Sequence, residues 1–157
     1  MSGTLRRHPT AIVMALIGSA AVVLFLPSMS ANASSPGSKA VPTRPVMCHH
    51  HRATIVGNAG NNTINGTNGR DVIQGRRGVD TINGRAGNDL ICGGRGADPL
   101  LQGWFGNDRV YGGPGSDILR GFFGNDQLYG GRGADVGYGG PGLDFCSSIT
   151  TRTSCTI

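Results

Sequence analysis

From Gly57 to Cys146 the chain repeats itself every nine residues, and this period governs what it can fold into. Aspartates stand at 71, 80, 89, 98, 108, 117, 126, 135 and 144, with one interval of ten between Asp98 and Asp108. Asn62 holds the same place one step earlier. Five residues before each of these positions is a glycine, from Gly57 to Gly139, and two residues before each is another, from Gly60 to Gly142. Two residues after each, the column reads Ile64, Ile73, Ile82, Ile91, Leu100, Val110, Leu119, Leu128, Gly137 and Cys146. Glycine tolerates the φ > 0 that tight turns require. Each Gly-rich six-residue segment is therefore expected to turn. The three residues around the apolar position then form a short strand, its middle side chain inward and its neighbours outward. The product is an all-β stack with one apolar residue per nine facing inward.

Composition narrows the choice further. Glycine supplies 28 of 157 residues, more than double the usual ~7%. Glutamate is absent, and all nine acids are aspartates of the repeat. A helix-rich fold is excluded, because glycine costs about 1 kcal/mol per helical position. The chain carries no HExxH and no GxSxG, and every carboxylate is committed to a turn, so no enzyme is expected. The length suits one domain.

The first 33 residues have the pattern of an export signal. Arg6 and Arg7 precede an apolar run from Ala11 to Leu26, which is shorter than the ~20 residues that span a bilayer. Pro27 breaks the run, and Ala31-Asn32-Ala33 fits a small-residue cleavage site. Cleavage after Ala33 would give a secreted chain without a membrane span. Residues 34–47, rich in Pro, Gly and Ser, are expected to be a flexible tether, and residues 48–157 a folded body.

The repeat resembles the hemolysin-type (RTX) calcium-binding nonapeptide, G-G-x-G-x-D-x-U-x, over residues 57–147. The resemblance implies a parallel β-roll, a right-handed β-helix-like solenoid of about ten units with two units per turn, hence five turns. It also implies Ca²⁺ between neighbouring turns of one edge. One edge would carry Asn62, Asp80, Asp98, Asp117 and Asp135, and the other Asp71, Asp89, Asp108, Asp126 and Asp144. An all-oxygen shell of carboxylates and turn carbonyls suits Ca²⁺, and a cation between stacked carboxylates would remove their repulsion. The full GGxGxD survives in the units ending at Asp98, Asp117, Asp135 and Asp144. The best expected sites are therefore Asp98/Asp117 and Asp117/Asp135, with turn carbonyls near Gly94, Gly96, Gly113, Gly115, Gly131 and Gly133. At the second-glycine position stand Asn58, Thr67, Arg76, Arg85, Trp104 and Phe122, which weakens the claim of those units. Arg76, Arg77, Arg85, Arg95 and Arg132 lie in turns, where guanidinium groups can pair with Asp and partly replace calcium.

With two units per turn, residues 18 apart stack. Trp104 and Phe105 would meet Phe122 and Phe123, Tyr111 would meet Tyr129, and Asn88, Asn107 and Asn125 would form a ladder. One exposed patch of six rings is expected, either sealing a turn or binding a partner. Four cysteines in an exported chain point to two disulfides. Cys92 and Cys146 would lie three turns apart, about 14 Å at strand spacing, beyond the ~7 Å reach of a disulfide. That leaves Cys48–Cys92 and Cys146–Cys155 as the expected pairs, capping both ends of the roll. His49-His50-His51 is set aside as a transition-metal site, since three consecutive residues converge poorly on one ion.

The expected protein is a secreted, non-catalytic calcium-binding β-roll. The alternative is a cell-surface, glycan or anionic-polymer binding module using Trp104, Phe105, Phe122 and Phe123 or the basic surface. The net charge of +5 also raises nucleic acid as a partner, but two of the arginines behind it sit in the leader, and this partner is not expected.

Overall fold

The computed structural model describes residues 44–155. The expected export signal (1–33) and residues 34–43 of the expected tether lie outside the described residues. The described chain opens with an antiparallel pair, β1 (Met47–Cys48) and β2 (His51–Arg52), so Met47 is already structured where the tether was expected to end. The next strands are β3 (Ile55–Val56), β4 (Thr63–Asn65), β5 (Val72–Arg77), β6 (Thr81–Ala86), β7 (Leu90–Arg95) and β8 (Leu100–Phe105). They are followed by β9 (Arg109–Pro114), β10 (Ile118–Phe123), β11 (Gln127–Arg132), β12 (Val136–Tyr138), β13 (Phe145–Ser147) and β14 (Thr151–Thr153). No helix occurs among the described residues.

From β3 onward the chain alternates between two parallel sheets, ordered β3-β5-β7-β9-β11-β13 and β4-β6-β8-β10-β12-β14. Each strand pairs with the strand one full turn later, so Ile73 lies beside Ile91 and Leu119 beside Leu101. This is an all-β solenoid with two nonapeptides per turn, a β-roll. It has about six turns rather than the expected five, because β3 and β14 extend the stack beyond the ten units. The strands are also longer than expected. From β5 to β11 each has six residues, not three. Identical backbone in successive turns keeps the first two repeat glycines in register, as in Gly113 beside Gly131, so the ladder continues through them.

The core is the predicted apolar column with one correction. Ile73, Ile82, Ile91, Val110, Leu119 and Leu128 are fully buried, facing one another from the two sheets. In the ten-residue unit the buried residue is Leu101, not Leu100. The extra residue falls directly after Asp98, at exposed Pro99, and register resumes with Leu101 beside Ile82. Proline has no N–H to contribute to a ladder, so it can stand outside the pairing. Each buried Leu or Ile stabilises the roll by about 1.5–3 kcal/mol.

The ends are built differently from each other. Cys48 is bonded to Cys92, with Cα atoms 5.7 Å apart. Cys48 packs with Leu90, Cys92, Val72 and Tyr111 in a second small cluster, so the β1–β2 hairpin lies on the outer face of a sheet, not across the end of the roll. At the other end Cys146 is bonded to Cys155, Cα atoms 5.6 Å apart, and the tail returns as β14 beside β12. There Ile149 is buried in the core. It occupies the space opened by Gly137, the one glycine in the apolar column, since a Cβ at Gly137 would meet the Ile149 Cδ1. Ile149→Ala is expected to destabilise the roll by about 2–4 kcal/mol, the usual range for an emptied core site. A chemical denaturation midpoint unchanged from the parent would show that Ile149 does not plug the core.

Candidate metal centre

Repetition every 18 or 19 residues places the aspartates in two columns, one along each edge of the roll. In each column the backbone N–H of one aspartate donates to the Oδ1 of the aspartate one turn later. On one edge Asp80 donates to Asp98 at 2.8 Å, Asp98 to Asp117 at 2.9 Å and Asp117 to Asp135 at 2.9 Å. On the other, Asp71 donates to Asp89, Asp89 to Asp108, Asp108 to Asp126 and Asp126 to Asp144, at 2.8–2.9 Å. The two edges hold the residues expected of them. All nine aspartates are buried, eight of them to 2% exposure or less and Asp71 to 6%.

One oxygen of each accepting carboxylate is thereby satisfied. In seven of them the other is not. Oδ2 of Asp80, Asp89, Asp98, Asp108, Asp117, Asp126 and Asp135 is buried with no hydrogen-bond partner. Each packs against the first glycine of its own unit. A Cβ on Gly93, for example, would overlap Oδ2 of Asp98. The third glycines stack as well, and a Cβ on Gly96, Gly115 or Gly133 would overlap the carbonyl oxygen of the glycine one turn earlier. Each turn thus collects a buried carboxylate oxygen and closely approached main-chain carbonyls. No cluster of three or more His, Cys or Asp side chains suited to a metal occurs among the described residues, so further ligands would come from the main chain or water. A hard, oxygen-only donor set of this kind fits Ca²⁺ and suits no thiophilic metal.

The first two units are closed by protein groups instead. Thr67 donates from its backbone N–H and its hydroxyl to Oδ2 of Asp71, at 2.6 and 3.0 Å. Asn58 N–H donates to Oδ1 of Asn62, and the Asn62 amide donates to Oδ1 of Asp80. The sequence drew attention to Thr67 only as a departure from glycine. Its position four residues before an aspartate was the available signal, since Thr side chains bond locally to turns.

Bulk at the second-glycine position does not change the turn. Arg76, Arg85, Trp104 and Phe122 take φ of 90°, 79°, 84° and 78°, in the same left-handed region as Gly94, Gly113, Gly131 and Gly140. Such backbone costs roughly 1–3 kcal/mol for a non-glycine residue and persists only where its surroundings impose it. The aspartates of these units, Asp80, Asp89, Asp108 and Asp126, carry the same unpartnered oxygen as Asp98 and Asp117. Backbone geometry therefore does not separate the intact GGxGxD units from their neighbours.

Burial is the main cause that pushes the carboxyls of Asp98 and Asp108 up to about 7, and those of Asp89, Asp117 and Asp126 up to about 6. The hydrogen bond accepted from the previous turn opposes the shift, and the neighbouring carboxylates of the column add to it. Arginine does not relieve this. Arg76, Arg77, Arg85, Arg95 and Arg132 donate no hydrogen bond to the unpartnered oxygens, so the expected Asp–Arg substitution for calcium is not realised there.

The aromatic residues stack in register but form two groups, not one patch. Trp104 stacks on Phe122 with centroids 4.5 Å apart, and Phe105 on Phe123 at 5.1 Å, along β8 and β10. Tyr111 stacks on Tyr129 at 4.7 Å along β9 and β11, in the other sheet. Alternate strands belong to opposite sheets, which separates the groups. His49 stacks on Tyr111 at 4.1 Å, so it serves the hairpin contact. The asparagine ladder is present: Asn107 N–H donates to Asn88 Oδ1 and Asn125 N–H to Asn107 Oδ1, both at 2.8 Å.

A model of the RTX calcium-binding nonapeptide repeat matches the chain in four overlapping copies, at residues 53–78, 65–98, 102–137 and 111–146, together more than half of its length. No curated protein and no solved structure matches the chain.

Two predictions test these columns. Asp117→Ala should lower calcium affinity by about tenfold or more, while Asp71→Ala, whose Oδ2 already has two donors from Thr67, should change it by less than about threefold. Calorimetric titrations that gave equal losses would show that the unpartnered oxygens are not the ligands. The second concerns pH. The folded carboxyls of Asp89, Asp98, Asp108, Asp117 and Asp126 titrate above the ordinary 3.8, so the metal-free fold holds more protons than the unfolded chain. Its stability from these groups is complete below about pH 4 and is lost as pH rises through 6 to 7. Calcium affinity should rise over the same window, because ligands must be ionised. Denaturation with and without chelator checks the opposite slopes.

Proposed function

The chain belongs to the RTX calcium-binding nonapeptide repeat family, and from that premise we propose that it is a secreted, non-catalytic protein whose roll is stabilised by Ca²⁺ along the aspartate columns. The observation that carries this reading is the repeated buried Oδ2 without a protein partner, from Asp80 to Asp135. Bound Ca²⁺ would supply the positive charge that lets successive carboxylates stand ionised in one column. Asp98, Asp117 and Asp135, with the carbonyls near Gly94, Gly96, Gly113, Gly115, Gly131 and Gly133, would hold it on one edge, and Asp89, Asp108, Asp126 and Asp144 on the other. The chain's own contribution is preorganisation. Each Oδ1 is fixed by an amide of the previous turn, so each Oδ2 is held at a set place without further ordering cost.

The placement of the acids supports a structural role: every aspartate side chain is buried in a column. Export is supported by the two disulfides, which persist in oxidising compartments.

Calcium should raise the melting temperature of the oxidised chain by on the order of 10 °C at about a hundredfold excess over its dissociation constant. Magnesium should raise it far less, because it demands a small octahedral shell and loses water reluctantly. Equal shifts with the two ions would point to charge screening and sink the calcium reading.

A further inference from the structure

The burial of the acids has a consequence for the surface. The chain has nine acidic side chains, and all nine are inside the columns. None remains outside to balance the exposed arginines. On the outer face of the β3–β13 sheet, Arg76, Arg77 and Arg95 surround a groove of about 590 Å³ whose other walls include Gln74, Cys92 and Tyr111. All three arginines are exposed. Arg77 lies directly beside Arg95 on adjacent strands, one strand spacing of ~4.8 Å apart along the backbone. Like charges in register destabilise a sheet unless something neutralises them. Arg76 is held at φ 90° at the mouth of the same groove. Pro114, which also lines it, stands in register with Arg132, so one further arginine lies beyond the proline along the roll axis.

We infer that this groove binds an acidic polysaccharide, whose sulfate or carboxylate groups are gripped by Arg76, Arg77 and Arg95. Planar guanidinium groups pair with such oxyanions in bidentate fashion. A row of them along the roll matches an extended, repeating anion better than a single small one. Single-stranded nucleic acid fits less well, since its binding relies on free aromatic faces for the bases. The aromatic ring in the groove, Tyr111, is already covered on one side by His49 and on the other by Tyr129. The inference stands apart from the calcium reading, because none of the three arginines donates to the unpartnered aspartate oxygens.

The test is binding of the oxidised, calcium-saturated chain to dextran sulfate, hyaluronate and an oligothymidylate, each over a range of salt concentrations. Dextran sulfate or hyaluronate should bind with marked salt dependence, and the two arms distinguish sulfate from carboxylate recognition. The double variant Arg77→Gln/Arg95→Gln should weaken that binding by about tenfold or more and flatten the salt slope. Arg120→Gln, on the opposite sheet, should change it by less than about twofold. Calcium titration and denaturation of the same variants read the metal columns and the fold separately. Three results would overturn the inference: no binding to either polysaccharide, equal losses in the two variants, or tighter binding to the oligothymidylate.

Discussion

The hydrogen bond from the amide of one aspartate to the carboxylate of the aspartate one turn later organises this protein. It fixes the axial spacing of the turns, draws every acid of the chain into the interior and defines both edges of the roll. It also creates the electrostatic problem that the site must solve. A buried carboxylate with only one oxygen satisfied is costly in its charged form, and stacking several in a column raises the cost. The upward displacement of the Asp98 and Asp108 carboxyls by burial reflects that conflict. A bound cation would relieve it, which would link calcium, pH and stability in one set of residues.

The glycines matter chiefly through what they keep out. At the first repeat position a side chain would collide with the aspartate of the same unit, and at the third with a carbonyl of the preceding turn. Those columns admit nothing larger. At the second position a Cβ on Gly94, Gly113, Gly131 or Gly140 would also meet a carbonyl oxygen of the preceding turn, yet elsewhere in that column, with the same left-handed backbone, the chain accepts Arg76, Arg85, Trp104 and Phe122. Stacking of Trp104 on Phe122 accompanies two of these strained residues, and aromatic pairs contribute about 0.5–1.5 kcal/mol beyond their burial. That gain offsets part of the backbone cost of the two residues.

Placing every acid inside leaves the outside basic. The same side chains that make the columns acidic are unavailable to the surface, so Arg77 and Arg95 can lie side by side without a counter-charge. The disulfides divide their work in a related way. Cys146–Cys155 secures a tail that covers the last turn with Ile149, whereas Cys48–Cys92 fastens a hairpin to the side of a sheet and buries Leu90 beneath it.

The nonapeptide spacing by itself determined the all-β class, the inward column from Ile73 to Leu128 and the membership of the two edges, because a strict period repeats one local conformation and stacks like residues on like. It could not show where the extra residue of the ten-residue unit goes. That was decided by pairing of Leu101 with Ile82, which left Pro99 outside the ladder. Nor could it show that Ile149 fills the hole at Gly137, since a residue beyond the repeat carries no period to place it. The separation of Trp104 and Phe122 from Tyr111 and Tyr129 depended on which sheet each strand joins. Whether an aspartate oxygen is left unpartnered, as at Asp117, or closed by a neighbour, as Thr67 closes Asp71, depended on donor positions within the folded turn. Sequence period sets which residues stack, and only three-dimensional packing sets which of their polar atoms are satisfied.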